Sequence, residues 1–374
     1  MVLFRRNIAF FYINDPNWTG GMYYVINAVN ALSYLSNEEQ PEIEIIVSRD
    51  VNLTELKDRI NYKRYKFYSI STDGKASISK WLANKLRWKY IYPFPKGRIY
   101  ERIFFGLNDN RKVYWIPDFQ EEYFSNLFEV DVIEKRRKMR SDLAMQSKSV
   151  VVFSSQNAQS DLLKFYGPKI QAKTKVLHFA NPDKWKFNDD FSKRTLNKFN
   201  LESNNFFICP NQMWEHKNHK IVFEAIRLAL KTNKHLKIAF CGKEHDPRNP
   251  RFVEELKKGA NDLVVSGNIC FLGFLPKEEQ MCLIKESIAL LQPSKFEGWS
   301  TTIEDGISLG KRVIASKLLV NIEQLGDKGY FFNPEDSGEL AEHLLSLAVD
   351  SHDIEYHHER RVRGFAKNLI GLID

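Results

Sequence analysis

The chain has 374 residues, 43% hydrophobic and 27% charged, which is typical of globular proteins and excludes disordered, collagen-like and coiled-coil classes. No apolar run approaches the ~18 residues of a membrane-spanning helix, and the length predicts about two domains. The net charge of +8 is uneven, because residues 1–180 carry 28 Lys/Arg and 19 Asp/Glu whereas residues 181–374 carry 27 and 28. The basic half favours a polyanionic partner: nucleic acid, anionic lipid or a phosphorylated substrate.

Short β-branched and aromatic runs alternate with helical patterns along the first half of the chain. Strands that alternate with helices are typical of a parallel sheet covered by helices on both faces. The predicted elements are, in chain order, strand Ile8–Ile13, a turn-rich loop Asn14–Gly21, helix Met22–Leu35, strands Glu44–Ser48 and Val113–Ile116, helix Asp142–Gln146, strand Ser149–Phe153 and helix Ala158–Tyr166.

The alternation pauses between Asn181 and Asn205, a polar stretch with little apolar periodicity that we interpret as the neighbourhood of a domain boundary. Two such series predict an α/β protein with two Rossmann-like domains facing across a cleft, whose ligands bind beyond the carboxyl ends of the strands. The predicted domains are 1–182 and 183–352, with a C-terminal helix at 353–374 that packs back toward the first. After the pause, the predicted elements are strand Phe206–Cys209, helix Ile221–Leu230, strand Leu236–Cys241, helix Phe252–Lys258, strand Ile269–Leu272, helix Glu278–Glu286, strand Ile288–Gln292, helix Thr302–Leu309 and strand Arg312–Ala315.

The cysteines and histidines of the second half give no metal pattern. His216 and His219 are three residues apart, but no third ligand has a suitable place nearby, so we expect no metal site. The cysteines form no C-x-x-C pair and lie in mostly apolar stretches, so we expect free core thiols, which suit a reducing cytosol. They are Cys209, Cys241, Cys270 and Cys282.

The most informative segment follows a buried strand late in the chain. A loop with Glu297 and Gly298 precedes a helix whose first turn contains Ser300 and Thr301. A helix start offers free backbone N–H groups and a positive dipole end, both suited to phosphate, although hydroxyls there most often serve as an N-cap. Glu297 and Asp305 bracket this helix start, and carboxylates accept hydrogen bonds from the neighbouring hydroxyls of a sugar or ribose.

Two further segments contain candidate phosphate contacts. Pro210–His219 connects a predicted strand to a helix and includes Lys217, which is either a point charge for phosphate oxygens or a solvated surface residue. Gly20 and Gly21 precede a predicted helix in the first half. These glycines either let the backbone approach a phosphate or sugar closely or form a plain turn.

These segments resemble glycosyltransferase family 4, whose members are retaining nucleotide-sugar transferases of GT-B fold. The resemblance covers nearly the whole chain, and its motifs occur in the order expected of the family. They are the Gly20-Gly21 loop, Trp115–Gln120, Asn211–His219 followed by Phe223–Ala225, Phe271–Pro276 and Pro293–Ser300.

The resemblance implies roles for individual residues of the second half. Glu297 lies near the donor sugar, and Asp305 stands where the family has a glutamate that binds the ribose hydroxyls. Asp305 is one methylene shorter, so we expect a longer or water-mediated contact; Glu304 is rotated by ~100° on the helix and does not substitute. Lys217 contacts the donor diphosphate. Gln212 replaces the family's arginine, which removes a bidentate phosphate clamp.

Further positions follow from the same resemblance. Phe274 and Leu275 fall where the family's backbone meets the nucleotide base. In the first domain, Asp118 is either an N-cap or a sugar ligand with a catalytic role, and Glu121 stands where many relatives have a histidine near the donor sugar. The remaining donor-binding candidates are Gly298, Trp299, Ser300 and Thr301.

The resemblance predicts an enzyme that transfers a hexose from GDP-mannose or a UDP-sugar to a lipid-linked or growing glycan in bacterial O-antigen or capsule synthesis. No convincing Asp-x-Asp motif is present, so we expect transfer without metal or other cofactor, driven by Lys217 and helix N-termini that stabilise the departing diphosphate. The alternative is a non-catalytic GT-B scaffold that binds nucleotide or glycan within a polysaccharide assembly complex, which the residues Gln212, Asp305 and Glu121 motivate.

Basic and aromatic residues interleave at 80–102, and 134–140 adds five cations. The mixture is typical of a membrane interface, of a single-strand nucleic-acid binder, or of a solvated basic surface beside core aromatics. Because the family's acceptors are often lipid-linked, we expect a cytoplasmic protein bound peripherally to the anionic inner face of the membrane. We expect no nucleic-acid partner, since no recognition motif supports one.

Overall fold

The structure is a computed structural model. It describes residues 7–12, 19–48, 51–70, 104–106, 112–145, 147, 149–167, 170–349 and 352–372. The basic segment at 80–102 and most of the loop before Gly20 lie outside the described residues. The chain divides into two compact units, the first formed by residues 1–125, 129–183 and 359–374 and the second by residues 126–128 and 184–358.

The described strands of the first unit form one seven-stranded sheet of order β3-β2-β1-β4-β5-β6-β7. The predicted all-parallel arrangement is wrong at β4, which runs antiparallel to both β1 and β5; the other pairs are parallel. β4 has three residues, too few to show a periodic pattern. The strands are β1 Asn7–Phe11, β2 Glu42–Ser48, β3 Tyr65–Ile70, β4 Phe104–Gly106, β5 Lys112–Ile116, β6 Ser149–Phe153 and β7 Lys173–Val176.

Two helices of the first unit begin earlier than the sequence pattern predicts. Gly20 and Gly21 lie in the first turn of a helix instead of a loop. The helix expected from Asp142 begins at Val130. The sequence pattern missed its first part because that part is highly charged and has few buried apolar residues. The helices are α1 Thr19–Ala31, α2 Leu53–Asp58, α3 Gln120–Tyr123, α4 Val130–Ala144 and α5 Gln156–Tyr166, with 3-10 turns at Leu32–Tyr34 and Ser125–Leu127.

The strands of the second unit form a six-stranded sheet of order β10-β9-β8-β11-β12-β13, in which every pair is parallel. This is the doubly wound order, and the chain changes direction across the sheet between β8 and β11. Such sheets bind ligands at this switch point, outside the carboxyl ends of the strands. The strands are β8 Phe207–Cys209, β9 Ile238–Phe240, β10 Ile269–Phe271, β11 Leu290–Gln292, β12 Val313–Ser316 and β13 Tyr330–Phe332.

Helices connect these strands. One of them, at Asp189–Lys198, lies within the polar stretch that showed little periodicity, since Leu196 is its only buried hydrophobic side chain. The helices are α6 Asp189–Lys198, α7 His219–Ala229, α8 Phe252–Lys258, α9 Asn261–Val265, α10 Lys277–Glu286, α11 Thr301–Ser308, α12 Leu319–Leu325, α13 Ser337–Leu347 and α14 His358–Ile370, with 3-10 turns at Glu215–Lys217 and Gly326–Lys328. From Glu359 onward α14 belongs to the first unit, whereas the described residues 353–358 belong to the second.

Alternate residues of the central strands of the second unit enter separate hydrophobic clusters, as expected for a sheet covered on both faces. Phe207 and Cys209 pack in one cluster, while Phe206 and Ile208 pack in the other. All four cysteines are free thiols; three are buried and Cys270 is half-buried. None of the described helices is both long and apolar enough to cross a membrane.

Candidate active site

Two loops meet at the switch point of the second sheet. The first follows β8 and ends in the turn Glu215–Lys217, after which Asn218 adopts a left-handed conformation (φ 56°) and α7 begins. The second follows β11 and leads to α11. The backbone N–H of Lys295 donates to the carbonyl of His216 at 2.8 Å, which joins the loops directly. The fold therefore brings together the two segments that the sequence singled out.

Lys217 and Glu297, 80 positions apart in sequence, form an ion pair within this region. The Lys217 Nζ lies 2.6 Å from Glu297 Oε1, and the side chains are 16% and 9% exposed. Gln292, at the end of β11, donates from Nε2 to the same carboxylate oxygen at 2.6 Å. Glu297 is thus held in one orientation by two donors.

Asp305 has a lysine partner of its own. The Nζ of Lys277, the first residue of α10, lies 2.5 Å from Asp305 Oδ2. The side chain of Asp305 is 7% exposed and that of Lys277 is 25% exposed. Phe274 and Leu275, just before α10, differ in setting, since Phe274 is 66% exposed whereas Leu275 packs in the core. A ligand could therefore reach the side chain of Phe274 but not that of Leu275.

The start of α11 is capped from two sides. Ser300 is the N-cap, and its Oγ accepts from the backbone N–H of Ile303 at 3.3 Å, so the capping interpretation of this hydroxyl is confirmed. Gln324 bonds the backbone of Ser300 and also the carboxylate of Glu304. Glu304 is 1% exposed and accepts from Trp299 Nε1 at 3.2 Å, so it belongs to the packing beneath the helix.

The loop that contains Gln212 passes very close to the loop after β9. Gly242 has a φ of +150°, and a Cβ atom there would collide with the carbonyl group of Asn211. Its N–H donates to the carbonyl of Gly273 at 2.9 Å. Gln212 itself is half-buried beside this contact. Only glycine permits this spacing of the two loops.

The two histidines next to Lys217 are buried. Burial lowers the pKa of His216 well below its usual value, with further lowering from the charges of Lys217 and Arg248. Burial lowers the pKa of His219 to about 3, and the charge of Lys217 acts in the same direction. Both are therefore neutral near pH 7. Within the described part of the chain, no cluster of three or more His, Cys, Asp or Glu side chains is arranged to hold a metal ion.

In the first unit, Asp118 lies between β5 and Phe119, the N-cap residue of α3. Its Oδ1 accepts from the backbone N–H of Gln120 at 3.0 Å, while its carbonyl accepts from Arg140 Nη2 at 3.0 Å. Gly20 is half-buried and Gly21 buried in α1. Asp118 is thus not the N-cap itself, although its side chain bonds the first N–H of α3.

Glu121 is the centre of a buried ion-pair cluster. Its side chain is fully buried and pairs with Arg136 at 2.8 Å and with Arg140, which is 3% exposed. The guanidinium of Arg140 also lies 4.5 Å from the centre of the Phe119 ring. The carboxylate of Glu121 is therefore bonded to two arginines of α4, and it does not take the place of a histidine that contacts a ligand.

Ion pairing also changes the interpretation of the basic run at 134–140. Besides Arg136 and Arg140, Lys135 pairs with Asp131 and Arg137 with Glu122. A cation paired with a carboxylate contributes less to a membrane-binding surface than a free one does. Lys138 is the remaining cation of the run, and it is exposed.

Sequence reasoning missed three polar residues of this region: Gln292, Lys277 and Gln324. Gln292 is a polar residue at the end of an apolar strand, and its side chain is fully buried. A polar residue is unusual at such a position, and this signal could have identified Gln292 as a candidate site residue. Lys277 and Gln324 carry no local signal, because their partners are 28 and 20 to 24 positions away.

Comparisons with known proteins show similarity to glycosyltransferases. Residues 192–364 match the family described as glycosyl transferases group 1. The chain is 33% identical over 86 residues to O-antigen chain mannosyltransferase B of Escherichia coli, covering 23% of each protein. It is 22% identical over 218 residues to alpha-1,3/1,6-mannosyltransferase ALG2 of Dictyostelium discoideum, covering 51% of this chain and 52% of that protein. The matched stretches thus span about half or less of these relatives' lengths.

Among solved structures, Anabaena Alr3699/HepE in complex with UDP and glucose resembles the fold over 98% of both chains, with a TM-score of 0.68 and 15% identity. At this identity the likeness concerns the fold alone. The fold of the chain is that of the GT-B glycosyltransferases, with two Rossmann-like domains as predicted. The glycosyl transferases group 1 match covers most of the second unit and the first residues that follow it, 359–364.

Proposed function

We propose that the protein is a retaining glycosyltransferase of family 4 that moves a hexose from a nucleotide-diphosphate sugar to a glycan or lipid-linked acceptor. One observation carries the proposal: Lys217 and Glu297 meet beyond the carboxyl ends of β8 and β11. Doubly wound sheets bind nucleotides at this position. The family match over residues 192–364 supports glycosyl transfer as the chemistry.

In the proposed reaction the nucleoside diphosphate is the leaving group, so negative charge grows on it as the glycosidic C–O bond breaks. The ammonium of Lys217 and the N–H groups at the start of α11 stabilise that charge, at ~3 kcal/mol for each well-aimed donor. The acceptor hydroxyl attacks on the leaving-group face, and its proton passes to the departing phosphate. Asp305 holds the ribose hydroxyls. The reaction needs no protein nucleophile, metal or other cofactor.

Glu297 has two parts in this scheme. It aligns the Lys217 ammonium through their 2.6 Å contact, and it lies near the donor sugar. Gln292 bonds the same carboxylate oxygen at 2.6 Å, which leaves the other oxygen of Glu297 for sugar hydroxyls. The resemblance also implies a donor contact for the Gly20 and Gly21 backbone.

The names of the relatives support two donor classes. Both curated relatives are mannosyltransferases, which supports GDP-mannose, whereas the solved Anabaena protein holds UDP and glucose, which supports a UDP-sugar. The O-antigen enzyme further supports a growing bacterial surface polysaccharide as the acceptor. We favour GDP-mannose, because two sequence relatives share that sugar.

A thermal-shift screen with GDP-, UDP- and dTDP-sugars, followed by transfer assays with the stabilising donor, tests the proposal. A bound donor raises the melting temperature by mass action. Lys217→Ala should lower kcat/KM by about two orders of magnitude. Lys220→Ala, which removes an exposed lysine one turn away, is the matched control. The proposal fails if no donor binds or if Lys217→Ala keeps near-full activity.

We further propose that the protein is cytoplasmic and attaches to anionic membrane through residues 80–102 and 134–140, with no nucleic-acid partner. Because most cations of 134–140 are paired with carboxylates, we attribute most of this role to 80–102. Co-sedimentation with vesicles of anionic or zwitterionic phospholipid tests it, since electrostatic attachment requires the anionic lipid and weakens with salt. Equal binding to both vesicle types would contradict it.

The second candidate is a GT-B scaffold without turnover. It is favoured by Gln212 in place of an arginine, by the shorter Asp305, and by Glu121, whose carboxylate is committed to Arg136 and Arg140. The two candidates differ in one result. A scaffold would bind nucleotide without transferring sugar to any acceptor, whereas the enzyme transfers it.

A further inference from the structure

We infer that Gln324 is a positioning residue of the donor site, which holds the start of α11 so that its free N–H groups face the donor's phosphates. The inference rests on the proposed function and deepens it. Gln324 lies on α12 and is 1% exposed. Its side chain bonds the backbone of Ser300, one of the predicted donor contacts.

The side-chain amide of Gln324 pairs with the backbone of Ser300 in both directions. Its Oε1 accepts from the Ser300 N–H at 3.1 Å, and its Nε2 donates to the Ser300 carbonyl at 2.9 Å. The N–H and the carbonyl of Ser300 belong to two successive peptide groups, and the one side-chain amide fixes the positions of both. The N-cap residue of α11 is therefore held from outside its own helix.

Glu304 extends this contact into a network. The Gln324 Nε2 also lies 2.8 Å from Glu304 Oε1, and that oxygen accepts from Trp299 Nε1 at 3.2 Å. Both Gln324 and Glu304 are 1% exposed, so these bonds form away from water. The network therefore fixes Trp299 and Ser300 as a unit.

The network also determines which helix-start donors are left for a ligand. The N–H of Ser300 is taken by Gln324, and that of Ile303 by the Ser300 hydroxyl. In the part of the chain that the structure describes, the N–H groups of Thr301 and Thr302 have no protein acceptor. These two N–H groups are the ones that can bond a phosphate, and their direction depends on the peptide that Gln324 holds.

The position of α12 itself does not depend on Gln324 alone. Asn321, one turn earlier, donates from Nδ2 to the carbonyl of Ser316 at the end of β12, at 2.9 Å. The carbonyl of Ser300 likewise has a second donor, the Glu304 N–H at 3.2 Å. Loss of the Gln324 amide should therefore leave the body of the helix in place and loosen only its first turn, which contains the Thr301 and Thr302 N–H groups.

The test compares how much the phosphates add to nucleotide affinity. The probes are UDP and uridine, or GDP and guanosine, whichever pair the wild-type chain binds. In Gln324→Leu, the ratio of diphosphate to nucleoside affinity should fall about tenfold, which is the change expected if the displaced N–H groups lose one hydrogen bond to the phosphates. Leu319→Ala, at a 73% exposed position of the same helix, should leave the ratio unchanged.

A second variant separates positioning from folding. Gln324→Met keeps the length of the side chain and removes both hydrogen-bonding groups of the amide, so it remains the test if Gln324→Leu does not fold. It should lower the ratio to the same extent. An unchanged ratio in the variant that folds, or an equal loss of affinity for the diphosphate and the nucleoside, would overturn the inference. Wild-type protein that binds neither diphosphate would instead overturn the proposed function.

Discussion

The buried Glu121 cluster yields a stability prediction that can be worked from the structure. Glu121→Gln removes the charge that compensates the Arg140 guanidinium, which is 3% exposed. Breaking such a buried pair costs about 3–5 kcal/mol, because the remaining charge stays out of water. The second pair adds at most ~1 kcal/mol, since Arg136 is 31% exposed. We therefore expect the first unit to lose about 4 kcal/mol of unfolding free energy.

A chain with two compact units need not unfold in a single transition, so the measurement must report on the first unit. Calorimetry should show one transition lowered by roughly 10 °C. Hydrogen exchange of the β6 amides should accelerate while that of β11 does not. Asp131→Asn is the control, since its pair with Lys135 joins side chains that are 66% and 72% exposed and contributes at most ~0.5 kcal/mol.

The same position also tests whether Glu121 occupies a catalytic place. Glu121→His supplies the residue found in many relatives, but a neutral imidazole cannot compensate Arg140. We expect this variant to lose stability like Glu121→Gln and to gain no transfer activity. A loss below 1 kcal/mol in Glu121→Gln, or higher activity in Glu121→His, would refute the reasoning.

Two further predictions concern the second unit. Burial raises the pKa of Cys209 to about 12 and that of Cys270 to about 11, so both thiols are protonated at pH 8. We therefore expect a disulfide reagent at pH 8 to label fewer than one thiol per folded chain, and four per chain after denaturation. Rapid labelling of Cys209 would contradict its burial. The His219 pKa of about 3 lies below its unfolded value of ~6.5, so its stabilising contribution is complete above pH 6.5 and declines as pH falls toward 3. At pH 5 the loss should be ~2 kcal/mol in urea titrations, and His219→Leu should flatten this part of the profile; an equally steep profile in that variant would exclude His219 as the cause.

The elements that sequence predicted well are those whose pattern is complete within a few residues. β8 and β11 are buried on both faces, so they read as short apolar runs. Lys217 and Glu297 could be singled out although they are 80 positions apart, because each follows such a strand and carboxyl ends of neighbouring strands share one edge of the sheet. Their direct contact could not be predicted.

The features that escaped depend on tertiary neighbours or on charge. α4 is a 15-residue helix whose run Glu134–Arg140 reads as a basic surface, yet Arg140 is buried against Phe119. From the sequence, Glu121 could be interpreted only as a replacement for the family's histidine. Its ion pairs could not be predicted, because its two partners lie 15 and 19 positions later. Gln324 is one polar residue in a short helix, and its role appears only once the α11 start is packed against it.

The contact between Gly242 and Asn211 has a mechanical consequence. The turn after β8 and the turn after β9 are in direct backbone contact, with no side chain between them at this point. This contact blocks movement of either turn toward the other, so the loop that contains Asn211 and Lys217 cannot shift toward the chain beyond β9 unless that chain moves as well. Gly242→Ala would place a Cβ atom against the carbonyl of Asn211 and would therefore push the two loops apart.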